Sequence, residues 1–177
     1  LIQPVWDNME KTSKSDSPLV GFSTGFRDLD NITLGLQEGD LILVAGRPSM
    51  GKTAFALSMA ANFIQNGLPV LFFSMEMSNR SIMYRLLSII SKVDLKKLQQ
   101  VKDLTEDDHR KIEEAASILH KSRLFIDDTS GLTPSEILSR ARRTKREHPD
   151  LALIAIDYLQ LMSSDTCLLY TSPSPRD

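Results

Sequence analysis

Leu41-Ile42-Leu43-Val44-Ala45-Gly46-Arg47-Pro48-Ser49-Met50-Gly51-Lys52-Thr53 places five apolar residues directly before a glycine-bounded loop that ends in Lys-Thr. Such a loop binds phosphate when a strand leads into it and a helix leaves it. Leu41 to Ala45, following the Gly39-Asp40 turn, predicts a strand buried on both faces of a parallel sheet. Thr53 to Asn66 predicts a helix, apolar nearly all round with Phe55, Leu57, Met59, Phe63 and Ile64, and stopped by Gly67 and Pro69. Gly46 and Gly51 let the loop through Arg47, Pro48, Ser49 and Met50 curl so that its successive N–H groups, of which Pro48 has none, face phosphate oxygens, and the helix start adds its positive end. Lys52 is expected to reach the β- and γ-phosphates and the Thr53 hydroxyl to ligate Mg²⁺, so ATP with Mg²⁺ is the expected ligand. The alternative is a chance Gly-Lys-Thr turn. With Gly near 7% of residues, the four constrained positions coincide at only about 4 in 100,000 starting points, and the strand–loop–helix context disfavours chance further.

Beyond the loop, strands alternate with helices. Val70 to Phe73, Leu124 to Ile126 and Leu151 to Ile156 predict further strands. Ser78 opens a helix carrying Ile82, Met83, Leu86, Leu87 and Ile90. Another runs from Thr105, with Asp108 as a weak capping box, to about Ser122. Thr133-Pro134-Ser135-Glu136 is the strongest helix start in the chain, and Pro149 stops that helix after His148. Strands separated by helices of this length give right-handed crossovers and a doubly wound, mostly parallel α/β sheet. Ligands of such sheets bind at the carboxyl ends of the strands.

Two acids stand at those ends. Asp157 closes the run Leu153-Ile154-Ala155-Ile156 and is expected to hold the metal through its water shell, although an acid after a strand is also an ordinary turn signal. Hydrolysis needs a group to position and deprotonate water. Tyr158 follows Asp157, so the base must lie elsewhere, and Glu76, in Ser74-Met75-Glu76-Met77-Ser78 just past the second strand, is the candidate. The competing reading is that Glu76 only favours the next helix start through its charge. Gln160, three residues past Asp157, reads more simply as a polar strand exit than as a phosphate sensor.

Composition sets the frame around these motifs. The chain has 177 residues, 41% hydrophobic and 25% charged, with 21 basic and 23 acidic residues and a net charge of −2. That suits a globular domain and excludes a disordered or polybasic chain. No apolar run reaches membrane-spanning length and no signal peptide is visible, so the expectation is a cytoplasmic protein without a membrane partner. The single cysteine, Cys167, can form no internal disulfide. Residues 1–19 read as a Ser-rich connector, 20–165 as a partial nucleotide-binding domain, and 166–177, with its spaced prolines, as a stretch foreign to the pattern.

Taken together, GRPSMGKT, the SMEMS segment, IDYLQLM at 156–162 and the approach GFSTGFRDLD…GLQEGDLILVAG resemble the RecA-like ATPase domain of the DnaB replicative helicases, and DDTSGLTPSEI and RARRTKREH extend the likeness over about Val20 to Ser164. RecA, RadA and circadian-clock ATPases share the loop type but differ from this Arg-Pro-Ser-Met version. The resemblance implies a homohexameric ring that couples ATP hydrolysis to movement along single-stranded DNA, with primase and a helicase loader as partners. It implies Lys52 and Thr53 on nucleotide and Mg²⁺, Glu76 as general base, and Asp157 on the metal. The family's glutamine-bearing strand, DNA-facing loops, arginine finger and N-terminal collar have no counterpart here, so an ATPase core incomplete at its C-terminus is expected. A RecA-fold loader or recombination factor, and a fragment that only binds nucleotide, are the alternatives.

Other features read as structural. Arg140, Arg142, Arg143, Lys145 and Arg146 spread around one helix and are expected to form a solvated face rather than a DNA contact. His109, His120 and His148 lack ligand spacing and are expected at the surface. Met75, Met77 and Met83 are expected in the core or at its rim.

Overall fold

The computed structural model describes residues 19–47 and 49–157. In chain order the elements are α1 (Arg27–Thr33), α2 (Lys52–Gln65), β1 (Val70–Ser74), α3 (Asn79–Ser91), α4 (Leu95–Gln100), α5 (Glu106–Lys121), β2 (Leu124–Asp127), α6 (Pro134–Glu147) and β3 (Leu153–Asp157). The strands form a parallel sheet in the order β2-β1-β3, with Val70 opposite Leu124 on one side and Leu153 on the other. Every residue of β1 is buried. Because side chains alternate along a strand, Val70 and Phe72 point into a cluster with Leu57, Phe63, Ile82 and Leu86 of α2 and α3, while Leu71 and Phe73 meet Leu132, Ile137 and Ala141 around α6. Helices cover both faces of the sheet, as a doubly wound α/β fold requires.

The local start signals are realised. Thr105 and Thr133 each accept from the amide three residues on, and Asp108 and Glu136 each reach back to the cap residue's amide. Pro134 fills the first helical position of α6. The short helices α1 and α4 are not anticipated by apolar periodicity. Their supports are polar: α4 is capped by Asp94, whose side chain accepts from the Lys96 and Lys97 amides, and α1 carries Asp30.

One expected strand does not form. Leu41–Ala45 makes no ladder with any strand among the described residues, and Leu41 and Leu43 are 86% and 71% exposed. A strand is a pairing as much as a sequence run, and the three-stranded sheet ends at β3, which pairs with β1 but not with this segment. Ile42, Leu43, Val44 and Ala45 instead line a groove of about 400 Å³ together with Leu29, Leu36, Phe55 and Met59. His148 is a second departure. It is half-buried and stacks on Phe125 with ring centroids 4.5 Å apart.

Residues 20–36 form an arm strapped across α2. Phe22 and Leu36 exchange both backbone bonds at 2.8 Å, Phe22 packs on Phe63, and Phe26 stacks on Phe55 at 4.8 Å. The two passes of the arm lie so close that a Cβ at Gly21 would stand 2.2 Å from the Leu36 carbonyl oxygen, so no other residue fits there without moving the backbone. Asn62 Nδ2 donates to the Ser23 carbonyl at 2.8 Å, tying arm to helix.

Within the arm, Asp30 is buried and accepts from Ser23 Oγ, Thr24 Oγ1 and the Thr24 amide at 2.6, 2.6 and 2.8 Å. Burial alone would raise its pKa, but bonds from the Ser23 and Thr24 side chains and from the Thr24 and Gly25 amides outweigh it and hold the carboxyl below its ordinary 3.8. A carboxylate whose folded pKa is depressed stabilises the fold fully above its unfolded pKa and loses that contribution as pH falls through the folded value. Denaturant titrations at pH 7 should therefore show Asp30→Ala less stable than wild type by about 2–4 kcal/mol. The difference between the two should shrink once the pH is taken below about 3.8.

Candidate nucleotide site

The loop before α2 is shaped by backbone as the glycine spacing implies. Gly51 stands at the N-cap of α2 with φ 86°, a left-handed conformation that glycine adopts without strain, and it offers no side chain to the first helical amides. Ser49 is also left-handed, at φ 65°. The earliest helical bond runs from the Phe55 amide to the Gly51 carbonyl, and no acidic side chain occupies the first turn. The amides of Lys52, Thr53 and Ala54 precede that bond, which leaves them as donors suited to an anion. Lys52 Nζ donates to the carbonyls of Gly46 and Arg47 at 3.0 and 3.2 Å, so its ammonium lies folded over the loop. Gly46, Arg47, Ser49 and Met50 are exposed and Thr53 is half-buried. Pro48 lies outside the described residues.

At the carboxyl edge of the sheet the two predicted acids lie at the exits of neighbouring strands, Asp157 closing β3 and Glu76 two residues past the end of β1. Ser74 is in register with Asp157, and the Met75 amide donates to the Asp157 carbonyl at 2.9 Å. Glu76 follows at once and is exposed. Its turn is closed by Ser74, whose Oγ donates to the Met77 carbonyl at 2.8 Å and accepts from the Met77 amide at 3.1 Å. The helix start that Glu76 would favour through its charge in the competing reading lies just beyond this turn. The start of α3 already has oxygen acceptors in Ser78, from Ser81 N at 3.4 Å, and in Asp128 Oδ2, from Asn79 N at 2.8 Å.

Asp157 is 5% exposed, and its Oδ2 is buried without a hydrogen-bond partner among the described residues. A buried, unpaired carboxylate oxygen is costly unless a cation or ordered water completes it. No group of three or more His, Cys, Asp or Glu among the described residues could cage a metal alone. One carboxylate and one threonine hydroxyl, with phosphate oxygens and water for the rest, is a donor set that fits Mg²⁺. The residues present are therefore consistent with a metal brought in with a nucleotide.

The basic helix presents the solvated face expected of it: Arg142, Arg143, Lys145 and Arg146 are exposed and only Arg140 is half-buried. Arg140 pairs with Asp127 at 2.6 Å, Arg143 with Glu147 at 3.0 Å, and Lys145 Nζ donates to the Leu151 carbonyl. Asp127 would be raised by burial, but the bonds from Arg140 and Thr129 hold it below the usual carboxylate range. Two polar residues at this edge, Ser74 and Asp128, escape sequence reading. A serine ending an apolar strand carries no distinctive signal, and the amide bonded by Asp128 is 49 positions away.

Comparison with known proteins supplies the frame for this geometry. The family described as DnaB-like helicase C terminal domain matches residues 21–171. The replicative DNA helicase DnaB of Pasteurella multocida is 46% identical over 166 residues, 92% of this chain and 36% of that protein, and the Haemophilus influenzae helicase is 46% identical over 151 residues, 84% and 32%. The chain thus spans about a third of the length of these relatives. Among solved structures, one described as an ATPase domain superposes with a TM-score of 0.82 at 32% identity, covering 95% of this chain and 60% of that one. A DnaB-like replicative helicase, described with its interactions with primase, gives the same TM-score and identity over 94% and 41%. The sheet and its flanking helices are RecA-like, and the chain belongs to the DnaB-like helicase C-terminal domain family.

Proposed function

We propose that this chain is the nucleotide-binding half of the motor domain of a ring-forming replicative helicase, hydrolysing ATP to drive the ring along single-stranded DNA. The observation that carries the reading is the backbone bond between Met75 and Asp157, which joins the exits of β1 and β3 at the sheet edge where nucleotide binds in such folds. In this reading the N–H groups of the loop from Gly46 to Gly51, Pro48 excepted, and the first amides of α2 hold the phosphates. Lys52 would leave the Gly46 and Arg47 carbonyls to reach the β- and γ-phosphates, and the Thr53 hydroxyl and Asp157 would hold Mg²⁺. The chemistry supplied by a metal held there would be neutralisation of phosphate charge. Glu76, in its Ser74-closed turn, orients water and takes its proton.

A homohexamer, primase and a helicase loader belong to the same proposal, supported by family membership and, for primase, by the solved helicase described with its interactions with primase. No described helix is long and apolar enough to cross a membrane. The Leu41–Ala45 segment, which has no strand partner among the described residues, favours a narrower version in which the chain alone binds nucleotide and turns it over only within a larger assembly.

Two measurements test the roles. In calorimetric titrations with Mg²⁺ and ATP, Lys52→Ala should weaken binding by roughly tenfold to a hundredfold, the worth of a charged hydrogen bond. Glu76→Gln should bind as wild type, yet in the full-length protein its turnover should fall by about 10²–10⁴-fold. Unchanged binding in Lys52→Ala defeats the site assignment. Asp157→Asn should separate stability from function, because it removes a buried charge with an unpartnered oxygen. Thermal unfolding without nucleotide should show the variant more stable by about 1 kcal/mol, while the Mg²⁺-dependent gain in nucleotide affinity disappears.

A further inference from the structure

We infer that Asp128, reaching across from the exit of β2, is a positioning residue that fixes the turn bearing Glu76 against Asp157. The inference rests on Glu76 being the base. On its β1 side that turn is anchored in the sheet, through the Met75 amide on the Asp157 carbonyl and the two bonds of Ser74 Oγ. On its far side it runs into the first turn of α3. The Ser78 cap moves with that helix, since among the described residues its hydroxyl bonds to Ser81 alone. Asp128 instead links α3 to the sheet: its Oδ2 accepts from the Asn79 amide at 2.8 Å, three residues past Glu76.

Asp128 is itself held by its neighbours. Asp127 is paired to Phe73 in the sheet register and accepts from the Thr129 amide at 3.1 Å. Arg140 Nη1 bridges Asp127 Oδ2 at 2.6 Å and Thr129 Oγ1 at 3.0 Å, and Leu132 is buried beyond them. The residue between two clamped positions has little freedom, so its carboxylate is a fixed point for α3. Polar linkage runs from α6 through Arg140 and the β2 exit to the turn of Glu76. Asp128 is exposed and makes no described contact with residues 46–53, so its loss should spare both the core and phosphate binding.

The test uses the full-length protein carrying this domain, with steady-state ATP turnover as the readout. Asp128→Ala should lower kcat by about tenfold or more while KM for ATP stays within about twofold, since a displaced base costs rate rather than affinity. Asp128→Asn, whose amide oxygen accepts the same bond, should recover most of the rate. Amide exchange at Asn79 should quicken in the alanine variant and not in the asparagine variant. In a Glu76→Gln background, Asp128→Ala should cost nothing further, because residues acting through one group are not additive.

Wild-type turnover in folded Asp128→Ala, a rise in KM in place of a fall in kcat, or an undiminished effect in the Glu76→Gln background would each overturn the positioning role and leave the base in place. Wild-type turnover in Glu76→Gln would instead remove the base itself, and the inference with it. Should the alanine variant fail to fold, Asp128→Glu carries the same comparison, moving the oxygen by one methylene while keeping the charge.

Discussion

Everything in this domain is referred to β1. Its five residues are buried on both faces and both of its edges are paired, so it can shift neither along its axis nor sideways without breaking two ladders. A parallel strand so enclosed must be apolar at successive positions, and Val70-Leu71-Phe72-Phe73 meets that demand with large side chains to each side. Burying the three largest of them contributes on the order of 1.5–3 kcal/mol each. The direction and register of β1 then set where its last residue falls, opposite Asp157. The chemistry at the sheet edge is inherited from the packing of the core.

The α2 helix is located by a second set of contacts. Its apolar side enters the core beside β1, while Phe55, Asn62 and Phe63 are gripped by the arm of residues 20–36. The helix start, and with it the loop that precedes Lys52, is held from within the sheet layer and from outside it. This matters because, among the described residues, Leu41–Ala45 lends the loop no ladder bonds of its own.

What could be read in the sequence divides by range. The capping boxes at Thr105 and Thr133, the apolar runs of β1 and β2, and the glycine-bounded loop are local patterns, and each forms where its residues say. Leu41–Ala45 reads as a strand by the same rule and is not one, because pairing depends on a neighbour that composition does not name. The helix of Asp30 is invisible to that rule for the opposite reason: its support is a buried carboxylate rather than a hydrophobic face. Glu76 and Asp157 can be nominated from their places after strands. That one follows the other across a single backbone bond, or that Asp128 touches the next helix, are facts of tertiary register, 82 and 49 positions apart in sequence for the two bonded pairs.

The folded-over ammonium of Lys52 has an energetic corollary. Its bonds to the Gly46 and Arg47 carbonyls define a closed loop state that competes with phosphate for the same side chain. An observed dissociation constant is then the intrinsic one divided by the fraction of loops already open. Any influence that weakens those two carbonyl contacts, a neighbouring subunit included, would tighten nucleotide binding without touching the nucleotide. Affinity in this domain is thereby a property of the empty loop as much as of the filled one.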